Sequence, residues 1–199
     1  MLLAMSPPLM KTLRPRSDQP PLTRFATVPG RRPLAPCPSS ASDPAEVLHY
    51  LNEHLCKVAD PSFMTALYAY YDVNAQTMRM ARAGHPLPMI FRHSDKKAIE
   101  LPCPGVYPLG IEPYEIEIPV TETKLESGDR FLIYTDGLTE RFDMAEKTYG
   151  EERLLRLLAI DSVDDPQGVI AAIMADVEQF AGERPADDDQ ALLLGIVQA

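Results

Sequence analysis

Asp136 is the first residue with chemistry to offer. It follows the apolar run Arg130 to Thr135 and precedes Gly137, so its carboxylate stands at the mouth of a buried strand. The glycine beside it lets the backbone approach a ligand closely and leaves its carbonyl open to a cation. Asp-Gly is also the commonest tight-turn dipeptide, and a plain turn is the competing reading on local sequence. Three further carboxylates, Asp187, Asp188 and Asp189, immediately precede a second apolar run, Gln190 to Val197. Alone they read as a solvated charge run in a loop. As two sites, each at the edge of an apolar strand, they supply the oxygen ligands that a hard octahedral cation such as Mg2+ or Mn2+ takes. His85, in Ala83-Gly84-His85-Pro86, joins two strands and has no cysteine or second histidine at matching spacing, so it reads as a hydrogen-bonded structural residue. No nucleophile elbow, P-loop or dinucleotide fingerprint occurs, since Gly105 and Gly110 stand in proline-rich turns without a following helix.

The elements that must position these residues follow from local pattern. Asp43 as N-cap, Pro44 as first helical residue and Glu46 three after the cap predict a helix start, and Val47, Leu48, Leu51 and Leu55 then repeat at helical spacing. Met64 to Val73 predicts a strand; after a turn over Asp72 to Gln76, so do Thr77 to Ala83, Leu87 to Arg92 and Ala98 to Leu101. Tyr114 to Val120 alternates Glu115 and Glu117 with Ile116 and Ile118, the period of a half-buried strand, whereas Arg130 to Thr135 reads as a fully buried one. Gly150 to Ile160 and Pro166 to Ala181 carry apolar residues on one helical face. Strands in meander order with helices clustered at the two ends predict an α+β fold, antiparallel sheet covered by helices.

Composition bounds the partners. The 199 residues hold 29 acids against 19 bases, a net charge of -10, so no global positive field exists for phosphate backbones or anionic lipid. Nucleic acid and membrane are not expected partners, and no stretch approaches the roughly 20 apolar residues of a membrane span. Cys37, Cys56 and Cys103 are odd in number and scattered, which supports neither a disulfide framework nor a zinc site and suits a reducing cytoplasm. The average conceals two segments. Residues 1–40 carry nine of the twenty prolines and six bases with a single acid, Asp18, for a net of +5; the remainder holds thirteen bases and twenty-eight acids, a net of -15. Disorder is expected over residues 1–40, which lack any helical or strand period, and the globular domain is expected over 41–199.

In order, these residues resemble the metal-dependent PPM-type protein serine/threonine phosphatases, in the bacterial branch typified by the sporulation stage II protein E. The resemblance runs from about residue 43 to 198. It rests on the Asp43-Pro44-Ala45-Glu46-Val47-Leu48 helix, Phe63-Met64-Thr65-Ala66-Leu67, Ala83-Gly84-His85-Pro86, Pro108-Leu109-Gly110-Ile111, Gly128-Asp129, Tyr134-Thr135-Asp136-Gly137-Leu138-Thr139-Glu140, Tyr149-Gly150 and the terminal Asp188-Asp189. The resemblance implies a helix/sheet/sheet/helix sandwich of antiparallel sheets, with acidic residues at one end holding a pair of Mg2+ or Mn2+ ions that activate water against a phosphoester. It implies Asp136 and Asp188 as metal ligands with Asp189 beside them, phosphoserine or phosphothreonine on a protein as substrate, and an anti-sigma-factor antagonist as the typical phosphoprotein of this branch.

The departures carry their own expectations. Family members have, upstream of the helix starting at Pro44, a Gly-Gly-Asp strand motif and a turn ending in Gly-His-Gly, and neither occurs in this sequence. The expectation is a partial domain lacking its N-terminal strands, with an incomplete metal centre. That leaves an enzyme completed by residues outside this chain, a catalytically inactive truncated module that binds a protein partner, or a shifted reading frame over the first 40 residues. Ala191 stands where family members usually place Thr, deleting one hydroxyl.

Overall fold

The computed structural model describes residues 2–5, 41–57, 63–160 and 165–198. Thirteen elements follow one another: β1 (Leu2–Met5), α1 (Pro44–Leu55), β2 (Ala66–Asp72), β3 (Thr77–Ala83), β4 (Met89–Arg92), β5 (Lys97–Glu100), β6 (Gly105–Val106), β7 (Thr121–Lys124), β8 (Arg130–Tyr134), α2 (Asp136–Thr139), α3 (Glu151–Leu158), α4 (Pro166–Ala181) and β9 (Leu192–Ile196). They form two sheets. The first has the order β1-β2-β3-β6 with β7 also on β3, and the second the order β5-β4-β8-β9. All pairings are antiparallel except a two-residue parallel contact of β3 with β6.

The period of two in each strand builds the layers. On β2, Leu67 and Ala69 point between the sheets, joined by Met78 and Met80 of β3, Ile90 of β4, Ile133 of β8 and Val197. The alternate residues Ala66 and Tyr68 face outward and pack with Ala81, Ala83 and Leu109 against Leu48 of α1. On β8, Leu132 and Tyr134 face the opposite way, into Leu154 and Leu158 of α3 and Val169, Ile173 and Val177 of α4. The result is the expected helix/sheet/sheet/helix sandwich with three apolar seams. Among the described residues, no helix is long and apolar enough to cross a membrane.

The two longest helices begin on aspartate caps, the first at the predicted Asp43 and the second at Asp165. The Asp43 carboxylate accepts from the backbone N–H of Ala45 and Glu46 at 3.0 and 3.3 Å, and Asp165 accepts from Gly168 at 2.9 Å, each ahead of a proline at the first helical position. The chain entering α1 is stitched to the first sheet, where the Tyr68 hydroxyl donates to the Ala41 carbonyl and Arg79 to that of Ser42.

Three local expectations need correction. Leu2–Met5, inside the segment expected to be disordered, form β1 and pair with Ala66–Ala69 of β2; positions 6–40 lie outside the described residues. Tyr114 to Val120 is not a strand, because Pro113 and Pro119 interrupt it and remove ladder donors, leaving Ile116 and Val120 exposed with Ile118 alone buried. The pairing falls instead to Thr121–Lys124, opposite Thr77–Met80. Asp136-Gly137 makes no hairpin turn either: it opens the four-residue helix α2.

Candidate functional site

Strand register brings the two aspartate segments to one end of the second sheet. Tyr134 pairs with Leu192 in the antiparallel β8/β9 ladder, so Asp136, two residues past the end of β8, and Asp188–Asp189, just ahead of β9, leave the sheet on the same side. The contact is close. A Cβ on Gly137 would lie 2.5 Å from the Asp189 carbonyl oxygen and 3.3 Å from the Asp188 carbonyl carbon, so only glycine admits this approach.

Thr135 latches the two segments. Its backbone N–H donates to the Ala191 carbonyl at 2.9 Å. Its hydroxyl donates to the Asp189 carbonyl at 3.0 Å and accepts from the Ala191 N–H at 2.9 Å. Thr135 occupies the N-cap position of α2 but spends its side chain across the sheet rather than on the helix. Gln190 adds a side-chain bond to the Gly137 carbonyl at 3.2 Å. Because the latch runs from Thr135 to main-chain atoms of residue 191, alanine at that position leaves it intact.

The carboxylates differ in setting. Asp136 is half-buried and Asp187, Asp188 and Asp189 are exposed. Asp136 accepts from its neighbour Gly137 N–H at 3.1 Å, and Asp188 from the Asp189 N–H at 2.7 Å. Among the described residues these are the only donors to the two carboxylates.

His85 belongs to the same end, since Met89 pairs with Leu132 and the chain preceding β4 therefore passes the end of β8. It is 1% exposed. Its Nδ1 lies 3.2 Å from the Pro86 carbonyl, and its Nε2 is buried with no hydrogen-bond partner among the described residues. Burial pushes the imidazole below its usual value, against the opposing pull of the Pro86 carbonyl and of the Asp136 charge. The structural reading of His85 thus accounts for Nδ1 and leaves Nε2 open.

The residues present fit a hard divalent cation in the kind of donor they offer. Asp136 and Asp188 are oxygen donors on segments held in van der Waals contact, and an octahedral cation that keeps several waters is held by as few as one or two carboxylates. Among the described residues, no group of three or more His, Cys, Asp or Glu side chains gathers tightly enough for a metal ion. Two contributors escaped sequence reading. Thr135 and Arg141 act through main-chain carbonyls of residues more than forty positions away, for which no spacing rule exists.

Residues 31–196 match the family described as Stage II sporulation protein E (SpoIIE). The phosphoserine phosphatase RsbU of Bacillus subtilis (strain 168) is 30% identical over 104 residues, which is 52% of this chain and 30% of that protein. The SiaA PP2C domain of Pseudomonas aeruginosa superposes with a TM-score of 0.67 at 21% identity, covering 79% of this chain and 62% of that one. A structure of RsbU and RsbW domains from Mycobacterium tuberculosis gives a TM-score of 0.61 at 25% identity over 78% of this chain and 43% of that one. The chain thus spans less than two thirds of each. It belongs to the SpoIIE family and has the fold of PP2C-type phosphatase domains.

Proposed function

We propose that this member of the SpoIIE family is part of a PPM-type protein phosphatase that hydrolyses phosphoserine or phosphothreonine on a regulatory protein. The observation that carries the reading is the contact of Asp136-Gly137, at the start of α2, with the Asp188-Asp189 loop, locked by Thr135. Asp136 and Asp188 would hold Mg2+ or Mn2+, with Asp189 beside them. Such a cation, when bound, acidifies water and offsets charge on the phosphoryl oxygens.

The chain's own residues do the rest. Gly137 removes the side chain that would part the two segments, and Thr135 fixes their register. An anti-sigma-factor antagonist fits as the phosphoprotein, on the strength of the RsbU relative and of a structural neighbour that carries an RsbW domain beside its RsbU domain. Such a partnership belongs to the cytoplasm.

The test is hydrolysis of a phosphoserine protein in millimolar Mn2+. Three proteins are compared: this chain, a fusion carrying a relative's segment with Gly-Gly-Asp and Gly-His-Gly, and that fusion with Asp136→Asn. The 199 residues contain neither motif, so the chain alone should stand at background and the fusion should turn over. Asp136→Asn should then cost about 10²–10³-fold, the scale of losing one preorganised electrostatic contribution. An active fusion indifferent to Asp136→Asn sinks the cation assignment. A fusion as silent as the chain sinks the catalytic reading and leaves a module that binds a protein partner.

A further inference from the structure

Ten residues separate the end of α4 at Ala181 from the start of β9 at Leu192, and they carry the aspartates without regular structure. Thr135, Gly137 and Gln190 anchor the downstream end of this loop. Its upstream end is held differently. Arg141, two residues past α2 and 7% exposed, donates through its two terminal nitrogens to the carbonyls of Pro185 and Arg184, and the Asp187 carboxylate lies 3.8 Å from the same guanidinium.

Arg184 reaches back in the opposite direction. It pairs with Glu146 at 2.9 Å and Asp187 at 3.4 Å, donates to the Asp143 carbonyl at 3.3 Å and stacks 4.9 Å over the Phe142 ring. The two arginines weld residues 184–187 to residues 141–146. Of three successive carboxylates, Asp187 is engaged by both guanidinium groups, whereas Asp188 and Asp189 form no ion pair among the described residues.

We infer that Arg141 is a positioning residue that sets Asp188 opposite Asp136 by clamping the main chain three to four residues upstream of Asp188. The inference rests on the reading of Asp136 and Asp188 as cation ligands. Its physical basis is that a loop bearing adjacent like charges splays unless something fixes it, and a planar guanidinium fixes two carbonyls at once. Lysine offers the same charge without that fork. If the competent loop geometry falls to about one molecule in ten, the apparent dissociation constant of the cation rises about tenfold.

The experiment is a Mn2+ titration of the full chain followed by paramagnetic broadening of the Gly137 and Asp189 backbone amide signals, a readout sensitive to weak sites. Both signals should broaden ahead of the rest in the parent and should no longer do so in Asp136→Asn. Arg141→Gln should raise the half-broadening concentration about tenfold while amide shifts in β4 and β8 stay in place, and Arg141→Lys should raise it less. Should Arg141→Gln fail to fold, Arg184→Gln carries the same comparison with a smaller shift. An Arg141→Gln titration that overlays the parent overturns the positioning role and leaves the cation reading standing. If Asp136→Asn itself overlays the parent, the cation reading fails, and the inference falls with it.

Discussion

The strand β8 runs between two aspartates of opposite character. Asp129, just before the strand, is 2% exposed and saturated with donors. It accepts from Arg92 Nη1 at 2.7 Å, from the His93 N–H at 2.9 Å and from the Glu126 N–H at 3.0 Å. Arg92 extends the knot to the Lys124 carbonyl and the Thr123 hydroxyl of β7, tying one sheet to the other. Asp136, two residues past the strand and half-buried, accepts only from its own neighbour among the described residues. Residue type and strand-edge placement are the same, so neither marks function. What separates a structural carboxylate from an available one is whether protein donors have consumed its lone pairs.

That contrast breaks most visibly at Asp129. Asp129→Ala leaves the His93 and Glu126 backbone N–H groups without their acceptor and Arg92 with only the Lys124 carbonyl and the Thr123 hydroxyl, and the expected cost is about 2–4 kcal/mol, from unsatisfied donors at about 1–3 kcal/mol each, read from urea denaturation. A loss under about 1 kcal/mol would mean that the two ends of β8 are energetically alike. Next in size is Gly137→Ala. The new methyl must push the Asp189 carbonyl away, at about 1–3 kcal/mol for an overpacked contact, and the Thr135 to Asp189 bond should loosen with it. Amide exchange at Ala191, whose N–H is held by the Thr135 hydroxyl, should quicken, and unchanged protection there would show that the two segments are not coupled.

Acidity sharpens the comparison further. Burial holds the His85 imidazole below its ordinary value of 6.5. As pH falls through 6.5 the unfolded chain takes up a proton that the folded chain refuses, so stability falls with acidification. The slope is up to about 1.4 kcal/mol per pH unit, until the folded imidazole protonates in turn. His85→Gln should flatten that slope between pH 7.5 and 5.5 in parallel denaturation series; identical slopes would place the proton uptake elsewhere. The smallest effect closes the set. Asp136→Asn should sit within about 0.5 kcal/mol of the parent, because among the described residues no remote donor relies on that carboxylate, and a larger thermal shift would make Asp136 a second Asp129.

Much of this was written in local pattern. The Asp43 cap, the one-faced apolar pattern of Pro166 to Ala181 and the apolar runs around Leu132 and Leu194 marked the outer helices and the strands β8 and β9, and with them the strand ends that carry Asp136 and Asp188. Tyr114 to Val120 misled because a period of two survives in side chains even where flanking prolines deny the backbone its ladder. Thr121–Lys124 hid for the opposite reason, since its polar side chains carry no apolar alternation and its strand exists through pairing with β3. The Arg141 clamp and the Thr135 latch were illegible because their partners are main-chain carbonyls, which every residue possesses and no sequence distinguishes.

One short element bears on how the molecule behaves in company. β1 covers the outer edge of β2 with four residues, pairing Leu2–Met5 with Ala66–Ala69. An uncovered strand edge is a ready template for a neighbouring chain. β1 is itself the edge strand of its sheet, so removing it hands the edge from a strand of four residues to one of seven, Ala66–Asp72, and lengthens the template a neighbouring chain would meet.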